Sequence, residues 1–202
     1  MRNVGVFGGT FNPPHIAHKR LALEAAEKAK LDKVFVIPTY TPPHKIAKNL
    51  LSGDDRIELC RRTFYEDIFE ISDIELKREG KSYTVDTVKQ LLSELENTKL
   101  FLIIGSDMLL TFHEWFHYEE ILKSVTLIVI SRENEIDRNI LKAYAENTLN
   151  LKEENGDIII LDLPPEVLSS TQIRELIEKG EPTEGMLTEK AEEYIAEKGF
   201  YR

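Results

Sequence analysis

The residues with the most chemical content lie together near the start of the chain, in Gly8-Gly9-Thr10-Phe11-Asn12-Pro13-Pro14-His15-Ile16-Ala17-His18. Paired glycines let a backbone turn tightly and approach a ligand without an intervening Cβ. A helix beginning near His15 would present unpaired N–H groups to an anion. Two imidazoles three residues apart at that helix start fall on one face, beside the same anion. Charged or hydrogen-bonding, they suit the oxygens of a phosphate undergoing displacement. The alternatives are an ordinary strand-to-helix turn and a metal site, although no nearby cysteine or carboxylate completes a ligand set. A Walker loop and a dehydrogenase-type G-x-G-x-x-G fingerprint are both absent.

Two further stretches carry suitable groups. In Leu168-Ser169-Ser170-Thr171-Gln172-Ile173-Arg174, hydroxyls and amides at a helix start, with an arginine one turn in, suit phosphate oxygens; a merely capped helix would need one hydroxyl. Ile104-Gly105-Ser106-Asp107 follows an apolar run, and the carboxyl end of a buried strand is where open α/β sheets bind ligands. Asp107 as a simple helix cap is the alternative there.

The elements that must position these groups are legible as short apolar, β-branched runs at Asn3 to Phe7, Lys33 to Ile37, Leu100 to Ile104, Thr126 to Ile130 and Asp157 to Leu161. None alternates with polar residues, so each reads as a strand buried on both faces. Phe69 to Ile74 is a further short strand candidate, followed by an exposed loop from Lys77 to Lys81. Helical stripes intervene: Leu21, Ala22, Ala25, Ala26 and Ala29 form one, and Val85, Val88, Leu91, Leu92 and Leu95 another. Strand-helix alternation predicts an α/β fold with a Rossmann-like, doubly wound parallel sheet. Two C-terminal helices, about Ser170 to Lys179 and Thr188 to Lys198, would cap the ligand side of that sheet or cover its edge.

At 202 residues and 42% hydrophobic composition the chain can bury a sizeable core, and with no repeat or linker in view a single domain, 1–202, is expected. The net charge of −10, from 36 acidic and 26 basic side chains, would repel both a nucleic-acid backbone and an anionic membrane. Neither is expected as a partner. An anionic substrate would need a local cluster of donors. The single cysteine, Cys60, reads as a small, half-buried residue in a reducing compartment. The N-terminus runs straight into a core strand rather than a signal peptide, and the expected location is cytoplasmic.

The Gly8 to His18 stretch closely resembles the signature G-G-x-F-[D/N]-P-x-H-x-x-H of the nucleotidyltransferase superfamily, a glycine-rich turn before an (H/T)-x-G-H-type motif. Ala17 stands where that superfamily usually has glycine, and Asn12 where bacterial relatives usually have aspartate. Further stretches resemble the bacterial-type nicotinate mononucleotide adenylyltransferases: Pro38-Thr39-Tyr40-Thr41-Pro42-Pro43-His44-Lys45, Leu76-Lys77-Arg78 with Ser82-Tyr83-Thr84, the Gly105-Ser106-Asp107 run, Phe112-His113-Glu114-Trp115 and the Ser170 to Arg174 signature.

The resemblance implies transfer of the adenylyl group of ATP to nicotinate mononucleotide, giving nicotinate adenine dinucleotide and pyrophosphate in NAD biosynthesis. It implies catalytic roles for His15, His18, Lys45 and Arg174. It also implies ATP contacts from Gly8, Gly9, Thr10, Phe11, His18, Asp107, Ser170, Thr171 and Arg174. Contacts to the pyridine nucleotide would come from Tyr83, Thr84, Gly105, Asp107 and Trp115, the indole stacking on the ring from a half-exposed loop. Thr84 also reads as a helix N-cap, Lys45 as a surface lysine and Trp115 as core filler if the resemblance is set aside. Mg2+ would arrive with ATP, without a dedicated protein site. Open alternatives are an adenylyltransferase using phosphopantetheine or nicotinamide mononucleotide, and a catalytically silent nucleotide sensor.

Overall fold

The computed structural model describes residues 1–40, 49–132, 136–164 and 168–202. Its centre is a parallel sheet of six strands: β1 (Arg2–Gly9), β2 (Lys33–Pro38), β3 (Phe69–Ile71), β4 (Thr98–Gly105), β5 (Val125–Arg132) and β6 (Ile158–Leu163). They lie in the order β3-β2-β1-β4-β5-β6, and every pairing is parallel. This is the doubly wound Rossmann order, which the alternation of apolar runs and helical stripes predicted.

Each central strand is covered on both faces. On β4, Leu100, Leu102 and Ile104 point into one apolar cluster, while Phe101 and Ile103 point into another. That period of two is the reason the strand reads as an unbroken apolar run. On the second face α1 (Ile16–Lys28) buries Ala22, Ala25 and Ala26, small side chains that let the helix approach the sheet closely. The first face is covered by α4 (Thr84–Glu94), which buries Val85, Val88 and Leu91, and by α7 (Arg138–Thr148), which buries Leu141 and Ala145. Burying one such aliphatic side chain contributes about 1.5–3 kcal/mol.

Several boundaries differ from the sequence expectation. β1 and β4 continue past their apolar runs through Gly9 and Gly105, because backbone pairing needs no side chain. β3 ends at Ile71, and Ile74 opens α3 (Ile74–Arg78), so part of the expected Lys77 to Lys81 loop is helical. Leu92 of the α4 stripe is exposed. Cys60 is fully buried rather than half-buried, and burial pushes its thiol well above the ordinary range.

A third cluster joins α2 (Gly53–Thr63), α8 (Ser170–Lys179) and α9 (Glu189–Lys198) through Leu59, Ile173, Leu187, Ala191, Tyr194, Ile195 and Tyr201. Of the two placements expected for the C-terminal helices, α8 takes the first, since its opening residues bond to the loop after β1. Among the described residues no helix is long and apolar enough to cross a membrane.

Candidate active site

The chain leaves β1 toward β2 on one side, while β4 lies on the other. The winding reverses between these neighbours, so a crevice opens beyond their carboxyl ends. A cavity of about 310 Å³ occupies that position, with Gly8, Gly9 and Thr10 on one wall and Tyr83, Thr84, Trp115 and Phe116 on another. A Cβ on Gly9 would come within 2.9 Å of the Phe11 ring, whereas one on Gly8 would meet open space. Gly9 is therefore required for packing, and Gly8 leaves room for a ligand. The Phe11 ring itself is buried against Phe7, Phe64 and His18, so its side chain supports the turn from behind.

His15 and His18 meet at the start of α1 with rings stacked 3.6 Å apart. His15 is the N-cap: His18 N–H donates to His15 Nδ1 at 3.4 Å, and His15 N–H donates to His18 Nδ1 at 3.3 Å. This is a capping box made from two imidazoles. Because each Nδ1 accepts, the proton of each neutral ring belongs on Nε2, which faces away from the helix backbone as a donor. The sequence placed both rings on one face; the cap explains why they are held there. Ala17, between them, is buried with helical backbone, a conformation that a methyl group tolerates.

The opposite wall is built differently. The N-cap of α4 is Tyr83, and no side chain caps the helix, so Thr84 is the first helical residue and not the cap. Tyr83 N–H donates to Lys81 O at 3.1 Å, whereas Thr84 N–H makes no hydrogen bond to a described residue and is left for a ligand or water; Thr84 lines the cavity. Half-buried Trp115 lies over Phe112 with centroids 4.7 Å apart, and Tyr83 lies against Phe116 at 4.6 Å. The floor includes Glu75, a buried carboxyl that accepts a hydrogen bond from Thr87 Oγ1 at 2.7 Å. Burial raises its pKa, opposed by Thr87, Ser82 and Arg78.

This arrangement can be set beside known proteins. The cytidylyltransferase-like family model matches residues 6–176. A Halalkalibacterium halodurans protein named "Probable nicotinate-nucleotide adenylyltransferase" is 40% identical over 205 residues, covering 100% of this chain and 92% of the relative. A Listeria innocua protein of the same name is 37% identical, covering 98% and 96%. The chain belongs to the cytidylyltransferase-like family, among its nicotinate-nucleotide adenylyltransferases. The Plasmodium falciparum nicotinic acid mononucleotide adenylyltransferase complexed with NaAD shares the fold at 18% identity, with a TM-score of 0.78 over 100% of this chain and 98% of that one.

The remaining expected site residues of this adenylyltransferase divide. Lys45 lies outside the described residues. Gly105 and Asp107 stand at the end of β4 beside the cavity wall; a Cβ at Gly105 would fall 2.6 Å from Asp107 Oδ1, so a side chain there would push that carboxylate aside. Asp107 is exposed in the first turn of α5 (Ser106–Leu109) and does not cap it. The three hydroxyls at α8 have separate tasks. Ser169 caps the helix, Ser170 donates to Pro13 O at 2.8 Å, and Thr171 accepts from Arg174 at 3.2 Å. Arg174 also donates to Asn12 O at 2.8 Å. The C-terminal signature is thereby tied directly to the glycine turn, a link that sequence reading did not see.

It also missed what lies beneath the turn. The Asn12 side chain is buried, donating to Asn49 O at 3.0 Å and accepting from Leu51 N–H at 3.2 Å and from Tyr201 Oη at 2.8 Å. Arg56 is buried beside it. Its signal was present: Arg56, Cys60 and Thr63 share the buried face of α2 at helical spacing, which puts a cation in line with an inward stripe.

Proposed function

We propose that this protein transfers the adenylyl group of ATP to nicotinate mononucleotide, releasing nicotinate adenine dinucleotide and pyrophosphate. The observation that carries the reading is the cavity at the β1/β4 reversal. It is walled on one side by an uncluttered glycine turn suited to phosphates and on the other by an uncapped helix start beside Trp115.

A phosphate oxygen of the acceptor attacks the α-phosphorus in line. The new O–Pα bond forms as the bond from Pα to the pyrophosphate oxygen breaks, and the electron pair leaves with pyrophosphate. The nucleophile is already ionised at neutral pH, so no base is required, and the protein's contribution is alignment and charge stabilisation. In this scheme Gly8, Gly9, Thr10 and the Phe11 amide receive the triphosphate. His18 donates Nε2–H to the α-phosphate, and His15 and Lys45 serve neighbouring oxygens. Ser170, Thr171 and Arg174 form the pyrophosphate side, and Asp107 at Gly105 accepts from ribose hydroxyls.

Trp115 stacks on the pyridine ring, and the start of α4 at Thr84, with Tyr83 beside it, receives its carboxylate. A carboxylate only accepts hydrogen bonds, which matches a helix start offering only donors. Magnesium travels with the nucleotide phosphates, and no step is assigned to the ion.

The test is pyrophosphate release by purified protein with ATP and Mg2+, offered nicotinate mononucleotide, nicotinamide mononucleotide or phosphopantetheine separately. Strong preference for the first is expected. Release with another acceptor alone would keep adenylyl transfer and discard the pyridine-carboxylate assignment. ATP binding without release from any acceptor would identify a nucleotide sensor.

A further inference from the structure

Arg56 is 2% exposed. Its Nε donates to Leu51 O at 3.2 Å and its Nη1 to Thr10 O at 3.0 Å. It forms no ion pair with a described carboxylate. Removal from water is the main influence on it and lowers its pKa, but a guanidinium remains charged in a protein. Burying a cation without a counter-charge is costly, and a core helix could fill the same volume with leucine or methionine. The position of this cation offers a reason to keep it.

The carbonyl it grips belongs to the Thr10–Phe11 peptide. That bond is trans; among the described residues the cis peptide is Asn12-Pro13. In a trans peptide the C=O and the following N–H point in opposite directions. A Thr10 carbonyl turned toward Arg56 therefore turns the Phe11 N–H away from it. Thr10 lines the cavity and Arg56 does not, so Arg56 stands behind the turn. Phe11 has φ of 48°, a left-handed conformation that non-glycine residues keep only when their surroundings enforce it. No hydrogen bond runs from Phe11 N–H to a described residue.

We infer that Arg56 is a positioning residue for phosphoryl chemistry: its guanidinium holds the Thr10–Phe11 peptide so that the Phe11 N–H faces the nucleotide phosphates, and its charge supports them from behind the turn. Arg56 touches no substrate and acts through the peptide it orients. The assignment rests on the proposed use of the cavity for ATP.

Arg56→Met and Arg56→Lys are compared with wild-type protein in two assays, with thermal melting as a check on folding. The first measures kcat and KM in pyrophosphate release with nicotinate mononucleotide. The second measures by calorimetry how much more tightly ATP binds than adenosine. Arg56→Met is expected to lower kcat by about 10- to 100-fold, leave the acceptor KM within about twofold, and shrink the ATP-over-adenosine advantage by about tenfold. Arg56→Lys, which keeps charge and one donor, recovers part of both.

A folded Arg56→Met with wild-type kcat and wild-type ATP advantage overturns the inference. So does a Lys variant that restores the melting temperature fully while recovering neither quantity. If Arg56→Met does not fold, Arg56→Lys decides alone: a kcat reduced by about threefold or more at unchanged acceptor KM supports the role, and an unchanged kcat overturns it. Should wild-type protein release no pyrophosphate with any acceptor, the proposed function fails. The binding assay, which needs no acceptor, still decides whether Arg56 acts through the phosphates.

Discussion

The two walls of the cavity are held by opposite means. The glycine turn is fastened from inside the molecule, its carbonyls at Thr10, Asn12 and Pro13 taken by Arg56, Arg174 and Ser170, and its Asn12 side chain by Leu51, Asn49 and Tyr201. Those partners come from α2 and the residues just before it, from α8 and from Tyr201, far apart in sequence. The aromatic wall is fastened mainly by ring contacts, with Tyr83 against Phe116. Trp115 leans on Phe112 three residues away, and α4 starts without a side-chain cap. Where charge must be matched to a reacting phosphorus, small displacements are costly and the scaffold supplies many restraints. Where a flat ring must be gripped, a few apolar surfaces suffice. Disruption of the first wall should therefore reach catalysis and folding, and disruption of the second mainly acceptor affinity.

The largest effect is expected at the histidine pair. His18→Ala removes the proposed donor to the charge that develops at the α-phosphate, and kcat should fall by about 10²- to 10³-fold while acceptor KM changes little. Near-wild-type turnover with unchanged KM would show that the stacked pair serves only to cap α1. The next effect is on stability. Asn12→Ala leaves the buried Tyr201 hydroxyl and Leu51 N–H without their acceptor, and urea denaturation should show a loss of about 3 kcal/mol. A loss below about 1 kcal/mol would mean that the turn is not fastened as described.

How much of this was readable in advance follows the same division. The sheet was legible because strands buried on both faces give unbroken apolar runs, and β1, β4 and β5 sit where those runs lie. His15, His18 and Ser170 to Arg174 were legible because chemistry confined to one turn leaves its residues adjacent. The fastening of the turn was not. Tyr201 meets Asn12 across 189 positions and Ser170 meets Pro13 across 157, and one sequence gives no signal that such distant polar groups will pair. Arg56 was obscured differently, since a helix beginning Gly-Asp-Asp-Arg reads as a solvated face until its position in the buried stripe is counted.

The aromatic wall should show the reverse of the His18 result. Trp115→Ala removes one face of the ring slot without touching the glycine turn, so acceptor KM should rise about 3- to 10-fold with kcat and ATP KM nearly unchanged. Steady-state kinetics varying each substrate separate the two. An equal fall in kcat would mean that the walls are coupled and that the contrast between them fails.

The smallest effect is also the most diagnostic of the aromatic side's interior. Glu75 is held in the cavity floor by Thr87, and burial raises its pKa above the ordinary 4.5 despite opposing pulls from Thr87, Ser82 and Arg78. A carboxyl whose pKa is higher in the folded than in the unfolded chain binds its proton more tightly when folded. Its contribution to stability is complete below the unfolded pKa and is lost as pH rises through the folded one. Glu75→Gln keeps the oxygen that accepts from Thr87 and never ionises. Its melting temperature relative to wild type should therefore be level below pH 4.5, increase as pH climbs above that value, and become level again once wild-type Glu75 is fully charged. A difference that stays flat with pH would show that Glu75 is no harder to ionise in the fold than outside it. A difference that falls with pH would mean that Arg78 outweighs burial, making this floor an ion pair instead of a buried acid.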